Sequence, residues 1–352
     1  MPRNPAATSS VAPDRERLFA WLTSTDVVDA SGAVASWVNP RHPGFPYPEA
    51  AGIWLAWAAW RAKRGDAAPA RAQVARIADH LALDLAEGGG VGKSDRTYLF
   101  DTCVALHGLA QSMATGTPVP AASRATRGAL HAIEIFLERD APVAPPPGDP
   151  DRWSGAWGPF QHRAVGLLAA AGLLLDSPRA TTLAARLRMR VEPAGPATVR
   201  RYVHEWCYAL EGAALAGDVA TVADAATGLI ALQREDGGMP SWTRGECPAR
   251  ADATAQAIRL WCASPRSDRD AIARGLGWLA GRQAGSGGLR YEEGSDDLTT
   301  WASCFADQAT AWAQSESPPR RLDLTERRDD PGRHHPLSRR SRNDRNGRRG
   351  SV

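Results

Sequence analysis

An eight-residue segment occurs twice in this 352-residue chain, with a spacing of 104 residues. Asp-Thr-Cys-Val-Ala-Leu-His-Gly at 101–108 matches Glu-Trp-Cys-Tyr-Ala-Leu-Glu-Gly at 205–212, with an acid, a Cys, an Ala-Leu pair and a Gly at identical offsets. Self-similarity at a long spacing is typical of repeat architectures. The rest of the chain divides into units of similar length, six in all, and each has the pattern of a helical hairpin. Six hairpins can close into a ring around a funnel, so we predict an all-α fold, an (α/α)6 toroid.

Apolar residues at helical spacing define the two helices of each hairpin. The outer helices have charges between their apolar positions, whereas the inner helices are apolar on most sides, as burial on two faces requires. The predicted outer helices cover residues 14–23, 70–86, 124–140, 179–191, 219–234 and 268–283. The predicted inner helices cover residues 47–62, 98–114, 159–175, 200–216, 250–263 and 299–313.

Glycine-rich turns separate most of the paired helices. Two turns share the form Gln, three residues, Gly-Gly, at 233–238 and at 283–288, while the fourth hairpin has Pro-Ala-Gly-Pro at 193–196. Glycines also interrupt several inner helices, where each costs about 1 kcal/mol relative to Ala. Close approach of neighbouring inner helices is the simplest compensation. We expect residues 143–152, which are rich in proline, to form a surface loop.

The two ends of the chain differ in composition from the predicted toroid, which we place at 13–314. Residues 1–12 form a leader of small residues without the apolar run of a signal peptide. The segment 315–352 has almost no apolar residues, so we expect a disordered tail. Its residues 318–352 carry 11 Arg against 5 acids, although the whole chain has a net charge of only +3. The tail lacks interleaved aromatic residues, so we do not expect a nucleic-acid partner.

The five cysteines, at 103, 207, 247, 262 and 304, have no paired spacing typical of metal sites or disulfide frameworks. Reduced thiols are typical of the cytoplasm, which is the expected location. No apolar stretch reaches the roughly 18 residues that a membrane-spanning helix needs.

The Gln-x-x-x-Gly-Gly turns and the six hairpins resemble the α/α toroid superfamily of terpenoid cyclases and protein prenyltransferases. The hairpin number is similar to that of six-hairpin glycosidases, lyases and sugar epimerases. Several segments look like those of bacterial toroid proteins of glycan metabolism. These segments are Tyr-Pro-Glu-Ala-Ala-Gly at 47–52, Phe-Asp-Thr at 100–102, His-Glu-Trp-Cys-Tyr-Ala-Leu-Glu-Gly at 204–212, Asp-Ala-Thr-Ala-Gln-Ala-Ile-Arg-Leu at 252–260 and Trp-Ala-Ser-Cys-Phe-Ala-Asp-Gln-Ala at 301–309. The likeness covers about residues 14–313.

The chain departs from the cyclase pattern in its acidic motifs. No Asp-x-Asp-Asp or Asp-Asp-x-x-Asp motif occurs in the predicted toroid. Protein prenyltransferases hold zinc with an Asp, a Cys and a His, but no local pair here has the spacing of zinc ligands. We therefore predict no metal and no cofactor.

Parallel inner helices would bring their N-terminal ends to one rim of the ring, where scattered ionisable residues could meet. Carboxylates and His can carry the acid–base steps of sugar chemistry, and Trp and Tyr can stack on sugar rings. The predicted catalytic residues are Glu49, Asp101, His204, Glu205 and Asp252. The predicted substrate-binding residues are His42, Tyr98, His162, Arg201, Tyr202, Tyr208, Trp242 and Trp301.

A structural role remains open for each acid, because an acid in a first helical turn complements the helix dipole and Asp101 could cap its helix. Our preferred prediction is an enzyme acting on a small-molecule or oligosaccharide substrate by hydrolase, lyase or epimerase chemistry. An isoprenoid cyclase or prenyltransferase is the alternative, and it predicts a pocket almost free of acids or a metal site. A non-catalytic toroid that binds glycan or protein is the third possibility, and it predicts acids engaged only in caps and ion pairs.

Overall fold

A computed structural model describes residues 12–145, 152–192 and 200–315. The predicted leader up to residue 11, residues 146–151 of the predicted surface loop, the Pro-Ala-Gly-Pro turn and the tail from residue 316 lie outside the described residues.

The described residues form twelve α-helices, which alternate between an outer and an inner position as the apolar spacing predicts. The outer helices are α1 (Arg15–Leu22), α3 (Arg71–Gly88), α5 (Ala122–Glu138), α7 (Pro178–Arg188), α9 (Val219–Leu232) and α11 (Arg269–Arg282). The inner helices are α2 (Pro48–Arg64), α4 (Leu99–Ala114), α6 (Gln161–Leu174), α8 (Val203–Leu215), α10 (Ala251–Ala263) and α12 (Thr300–Ala313). Each boundary lies within a few residues of the predicted one.

The inner helices close a ring. Each packs against the next in chain order, from α2 to α12, and α12 packs back against α2 and α1. Arg15 on α1 donates to Asp307 on α12 across 292 positions of sequence, at 2.7 Å. The predicted toroid is therefore confirmed by the contacts between its first and last hairpins.

The Gln-x-x-x-Gly-Gly turns hold each hairpin to the next one. The Gln233 amide donates to the carbonyl oxygen of Gly237 within its own turn and to that of Ala271 on α11. Gln283 repeats the first bond with Gly287, and its second bond goes to the carbonyl oxygen of Asp14, just before α1. Around the ring, the hairpin of α11 and α12 is followed by α1. The bond from Gln283 to Asp14 therefore helps to close the ring.

The duplicated segment is explained by helix packing. A Cβ atom on Gly108 would lie 2.2 Å from the carbonyl oxygen of Gly52, and one on Gly212 would lie 2.2 Å from the carbonyl carbon of His162. Real Cβ atoms do not come that close to backbone, so glycine is required where α4 crosses α2 and where α8 crosses α6. Cys103 and Cys207, five residues before these glycines, are fully buried.

Seven short strands lie in the loops: β1 (Trp37–Val38), β2 (Gly92–Lys93), β3 (Arg96–Tyr98), β4 (Val143–Ala144), β5 (Met239–Pro240), β6 (Ala249–Arg250) and β7 (Leu298–Thr299). They pair antiparallel as β1 with β7, β2 with β3 with β4, and β5 with β6. β3, β6 and β7 lead directly into α4, α10 and α12, so the strands fix the backbone at the starts of inner helices.

The core runs through the whole ring and includes the fully buried rings of Trp54, Trp57 and Trp261. Each of these indoles donates its N–H: Trp54 to the carbonyl oxygen of Leu22, Trp57 to Asp307, and Trp261 to the carbonyl oxygen of Ala226. A paired N–H removes the cost of burying this group. Among the described residues, no helix combines the length and the apolar character needed to span a membrane.

Candidate active site

A pocket of about 300 Å³ opens where the inner helices begin. It is lined by Trp37, Phe45, Tyr47, Glu49, Lys93, Arg152, Trp153, Ser154, His204, Tyr208, Tyr291 and Trp301. Inner helices α2, α8 and α12 contribute residues from their first or second turns, and the preceding loops supply the rest. The starts of three inner helices, which are part of the predicted rim, therefore meet at one pocket.

One wall of the pocket is a cluster of two carboxyl groups, a phenol and a guanidinium. The hydroxyl group of Tyr47 donates to Glu49 Oε2 and lies 3.2 Å from Asp101 Oδ2. Arg152 donates from Nη2 to Asp101 Oδ2 at 2.7 Å and to the Tyr47 hydroxyl group. Glu49 borders the pocket, whereas Asp101 lies behind it and is fully buried. The Tyr47 hydroxyl group thus connects a buried carboxyl group with one that faces the pocket.

The surroundings of Asp101 favour its protonated form. Burial raises the pKa of its carboxyl group to about 8, the nearby Glu49 charge acts in the same direction, and Arg152 opposes both. Its Oδ1 atom is buried without a hydrogen-bond partner among the described residues. The residue is the third of α4, and the residue at the N-cap position is Tyr98, so the structure excludes the capping role considered for Asp101.

The opposite wall contains a histidine held by two residues of α10. His204 Nδ1 lies 2.6 Å from Gln256 Oε1 and 3.4 Å from Asp252 Oδ2. Both neighbours are acceptors, so Nδ1 carries a proton and Nε2 is the nitrogen that can act as a base. His204 borders the pocket, and its ring centroid is 4.3 Å from that of Tyr208, as expected for positions i and i+4 of one helix.

Asp252 is fully buried behind His204, but its surroundings favour the charged form. Burial would raise the pKa of the Asp252 carboxyl group, yet Arg250, His204 and the indole N–H of Trp301 lower it further than burial raises it. Arg250 Nη2 lies 3.1 Å from Asp252 Oδ2, and Trp301 Nε1 lies 3.2 Å from the same oxygen. The carboxylate therefore orients both His204 and Trp301 towards the pocket wall.

Aromatic rings cover much of the remaining wall. The ring of Trp153 makes edge contacts with Phe160 and His204, at centroid distances of 4.7 and 5.9 Å. Trp37 meets Phe45 edge-on at 5.2 Å, and Tyr291 meets Trp301 at 5.6 Å. Flat apolar faces beside carboxyl groups are suited to sugar rings, which have apolar C–H faces and polar edges.

The structure brings eight of the thirteen predicted site residues together and leaves five apart. Glu49, His204, Tyr208 and Trp301 line the pocket. Asp101, Asp252, Tyr98 and Tyr202 lie one contact behind it, against Arg152, Arg250 or the lining side chains. Outside the lining are Glu205, His42, His162, Arg201 and Trp242.

The residues outside the pocket have other neighbours. His162 Nε2 lies 2.9 Å from the carbonyl oxygen of Glu192, and the His42 side chain is 58% exposed beside Asp297. The Trp242 ring packs under the Arg200 guanidinium. Burial raises the pKa of Glu205, and nearby Arg201 lowers it by less. Their roles in binding or catalysis stay predictions without a contact to the pocket.

Several lining residues were missed by the sequence analysis. Arg152 is the last residue of the segment that was predicted to be a surface loop, but it lines the pocket. Trp153 and Ser154 follow it in a short 3-10 helix, Trp153–Gly155. Lys93 ends the short strand β2, and Tyr291 lies in the loop before β7. The available signal was position, because Trp153 lies in the segment between an outer and an inner helix, as Tyr47 does.

The described part of the chain contains no group of three or more His, Cys, Asp or Glu residues able to hold a metal ion. The cysteines near the starts of inner helices, Cys103, Cys207 and Cys304, are fully buried, and burial raises the pKa of each thiol. Buried neutral thiols of this kind are core residues rather than ligands.

Comparison with solved structures places the fold among known toroids. The chain is similar to the unsaturated glucuronyl hydrolase from Bacillus sp. GL1, described as responsible for the degradation of glycosaminoglycan, with 13% identity, a TM-score of 0.60, and coverage of 87% of this chain and 98% of that one. It is also similar to an unsaturated glucuronyl hydrolase specific for heparin, with 11% identity, a TM-score of 0.58, and coverage of 84% and 95%. A third similar structure is a wild-type glycosidase, with 12% identity, a TM-score of 0.61, and coverage of 84% of this chain and 97% of that one.

Neither the protein-family models nor the curated proteins gave a match. At 11 to 13% identity, the structural likeness establishes the fold and not the activity. The chain is a six-hairpin α/α toroid that matches these structures over nearly their full length.

Proposed function

We propose that the protein is a carbohydrate-active enzyme that hydrolyses a glycosidic bond of an acidic oligosaccharide in this pocket. The observation that carries the proposal is the chain of contacts from the buried Asp101 through the Tyr47 hydroxyl group to the pocket-facing Glu49. Burial raises the pKa of Asp101 to about 8, in agreement with a proton-storing role. Glycosidases need one carboxylic acid that is protonated at working pH. The fold that this chain shares with solved glycosidases agrees with the proposal.

On the acid side, Glu49 acts on the leaving group. Asp101 passes its proton to the Tyr47 oxygen while Tyr47 passes its own proton to Glu49. Glu49 then protonates the glycosidic oxygen as the bond to the anomeric carbon breaks. Only Glu49 among the two acids borders the pocket, so Asp101 is a positioning and proton-storing residue.

On the opposite side, His204 accepts a proton from the attacking water. Its Nε2 lone pair is available because Gln256 and Asp252 hold the proton on Nδ1. The water oxygen joins the anomeric carbon, and the charge of Asp252 stabilises the imidazolium that forms.

The charge of the pocket favours an acidic sugar. Lys93 and Arg152 border the pocket together with a single carboxylate, Glu49, because Asp101 is neutral near pH 7. The ammonium of Lys93 lies 5.0 Å from the Phe45 ring centroid. A sugar carboxylate would pair with these cations, and the similar toroids are named for glucuronyl groups, which carry such a carboxylate.

Neither alternative has equal support. An isoprenoid enzyme would want a pocket almost free of acids or a metal site, whereas this pocket contains Glu49 and His204, and no metal-binding group occurs in the described residues. A purely binding toroid would have every acid engaged in caps or ion pairs. Glu49 instead has one hydrogen bond, from Tyr47, and faces open space.

The test is hydrolysis of a panel of oligosaccharides, including ones with saturated and unsaturated uronic acids at the non-reducing end and neutral analogues. Released reducing ends would be measured for wild type, Glu49→Gln and His204→Gln. We expect cleavage of acidic members, with kcat lowered by roughly 10²- to 10⁴-fold in each variant, the usual contribution of an acid or base.

Glu87→Gln is the matched control, because Glu87 is an exposed carboxylate on outer helix α3. It should keep wild-type kcat. Cleavage of neutral sugars alone would reject the acidic substrate class, and binding of oligosaccharides without any cleavage would support a binding protein instead.

A further inference from the structure

A second, smaller cavity lies deeper in the ring, between the inner helices. Its volume is about 20 Å³, and its lining includes Arg163, Arg259, His107 and Phe305. A space of this size accommodates one water-sized occupant, because a single water needs roughly 10–15 Å³ by this measure. Sulfate, phosphate and carboxylates are too large for it.

Two buried guanidinium groups border this cavity with unpaired donors. Arg163 is 5% exposed and Arg259 is 1% exposed. Arg163 Nε and Arg259 Nε have no hydrogen-bond partner among the described residues. An unpaired donor on a buried cation is costly, so an acceptor at this place would stabilise the fold.

The charge around the cavity is not balanced. Glu211 pairs with both arginines, with Arg259 Nη1 at 2.9 Å, so one carboxylate serves two cations. Burial lowers the pKa of each guanidinium to about 10, and both remain charged near pH 7. The three side chains therefore carry one excess positive charge, and a neutral water molecule cannot compensate it.

The histidine on the cavity wall adds a donor and no negative charge. Burial, with Arg163 and Lys63 nearby, lowers the pKa of His107 to about 3, so its ring is neutral. Gln111 Nε2 lies 3.2 Å from His107 Nε2, and Lys63 donates to Gln111 Oε1 at 2.9 Å. Since the amide nitrogen can only donate, His107 Nε2 accepts and Nδ1 carries the proton.

A neighbouring cluster differs in charge. Arg61 is buried as deeply as Arg259, but Asp307 accepts from Arg61 at 2.8 Å and from Arg15 at 2.7 Å, and Asp66 accepts from Arg15 at 2.8 Å. Arg64 also pairs with Asp66, and Glu16 lies 3.6 Å from Arg61, so three carboxylates match three guanidiniums. In the described part of the chain, the cavity cluster Arg163–Glu211–Arg259 has one more guanidinium than carboxylates and lies beside open space.

We propose that this cavity binds a single halide ion, chloride under ordinary conditions, held by Arg163 and Arg259. The Tyr208 ring separates the ion from the active-site pocket, because it borders the pocket and also lies 4.7 Å from the Arg163 guanidinium carbon. The site is independent of the proposed hydrolysis and needs no substrate.

The direct test is a crystal structure of the full chain grown in sodium bromide, with diffraction data collected at the bromine absorption edge. We expect an anomalous peak within hydrogen-bonding distance of Arg163 and Arg259. Anomalous peaks confined to the protein surface, with none in the cavity, would overturn the proposal.

A second test compares thermal unfolding in sodium chloride, sodium bromide and sodium gluconate at equal ionic strength. Both halides should raise the Tm of wild type by roughly 2–4 °C over gluconate, with saturation. Arg259→Met should lose this increment, whereas Arg61→Met should keep it because its charge is paired by Asp307. An equal Tm of wild type in all three salts contradicts a halide site even if Arg259→Met fails to fold.

Discussion

Asp101 and Asp252 are two fully buried aspartates in the first turns of inner helices, yet their surroundings favour opposite charge states. The pKa of Asp101 is raised to about 8, since burial and the Glu49 charge outweigh Arg152. The pKa of Asp252 is lowered despite burial, because Arg250, His204 and the Trp301 indole all stabilise its charge. Burial alone does not decide which form a carboxyl group takes.

The difference assigns each side of the pocket its chemistry. A neutral carboxyl group beside Glu49 can supply a proton, whereas a carboxylate beside His204 can hold the ring and stabilise its positive charge. The repeated hairpins place Asp101 and Asp252 in the first turns of their inner helices. The loop and the neighbouring helix around each aspartate then determine whether its carboxyl group is charged.

The largest effect is expected from Asp252→Asn. This change leaves Arg250, which is 8% exposed, without its charged partner. Loss of one member of a buried ion pair costs about 3–5 kcal/mol of unfolding free energy. Unfolding in guanidinium chloride at pH 7 measures this loss of free energy. The loss should be smaller in the double variant Arg250→Met/Asp252→Asn, which removes both charges. Because the folded pKa of Asp252 is depressed, wild type should lose this stability as the pH falls below the range of an ordinary aspartate, and the variant should not.

The next largest effect is expected in the decrease of kcat at alkaline pH. If the acid form of Asp101 supplies the proton, kcat should fall about tenfold per pH unit above an apparent pKa near 8. Tyr47→Phe removes the connecting hydroxyl group and should lower kcat at every pH while KM changes little. An alkaline limb that persists unchanged in Asp101→Asn would assign it to another group.

A smaller effect, of opposite sign to that of Asp252→Asn, is expected from Asp101→Asn. Native wild type keeps a proton that the unfolded chain releases between about pH 4 and pH 8, so its stability falls as the pH rises through this window. The amide never titrates, so the variant should equal wild type near pH 4 and be the more stable of the two at pH 7, by up to about 4 kcal/mol for a pKa near 8. Unfolding in urea at pH 4 and at pH 7 measures the free energies of both proteins. A variant that is less stable than wild type at pH 7 would show that Asp101 is charged at that pH.

The smallest effect is expected from Glu205→Gln. The repeat equates Glu205 with Asp101, but Glu205 does not line the pocket. We expect kcat and KM for the acidic substrate to remain within about twofold of wild type, and the unfolding free energy to be unchanged or slightly raised because burial disfavours the Glu205 charge. A large loss of kcat would mean that the pocket extends beyond its present lining.

Helix periodicity predicted the fold because it acts at every turn of the chain. The outer and inner helices, the close approach at Gly52 and Gly108, and the shared rim all follow from regular spacing. The structure explains the Gln of the turn motif, because the side chains of Gln233 and Gln283 each donate to the backbone of the next hairpin.

The site was predicted less completely, because periodicity places a residue along a helix but not on a particular face. Adjacent residues differ by about 100° around the axis, so His204 faces the pocket and Glu205 does not. Arg152 and Lys93 come from loops, whose course depends on contacts with distant parts of the chain. The Arg152 contact with Asp101 could not be derived from spacing.

Closure of the ring has a consequence for biosynthesis. The contacts that join α1 to α12, and β1 to β7, connect positions more than 260 residues apart, as in the Thr300 hydroxyl bond to the Ala35 carbonyl oxygen. A nascent chain on the ribosome can stack early hairpins but cannot seal the circle until the sixth has emerged. During that interval the exposed flank of α2 has no neighbour, so a partly made ring is the stage at which chaperones would matter most.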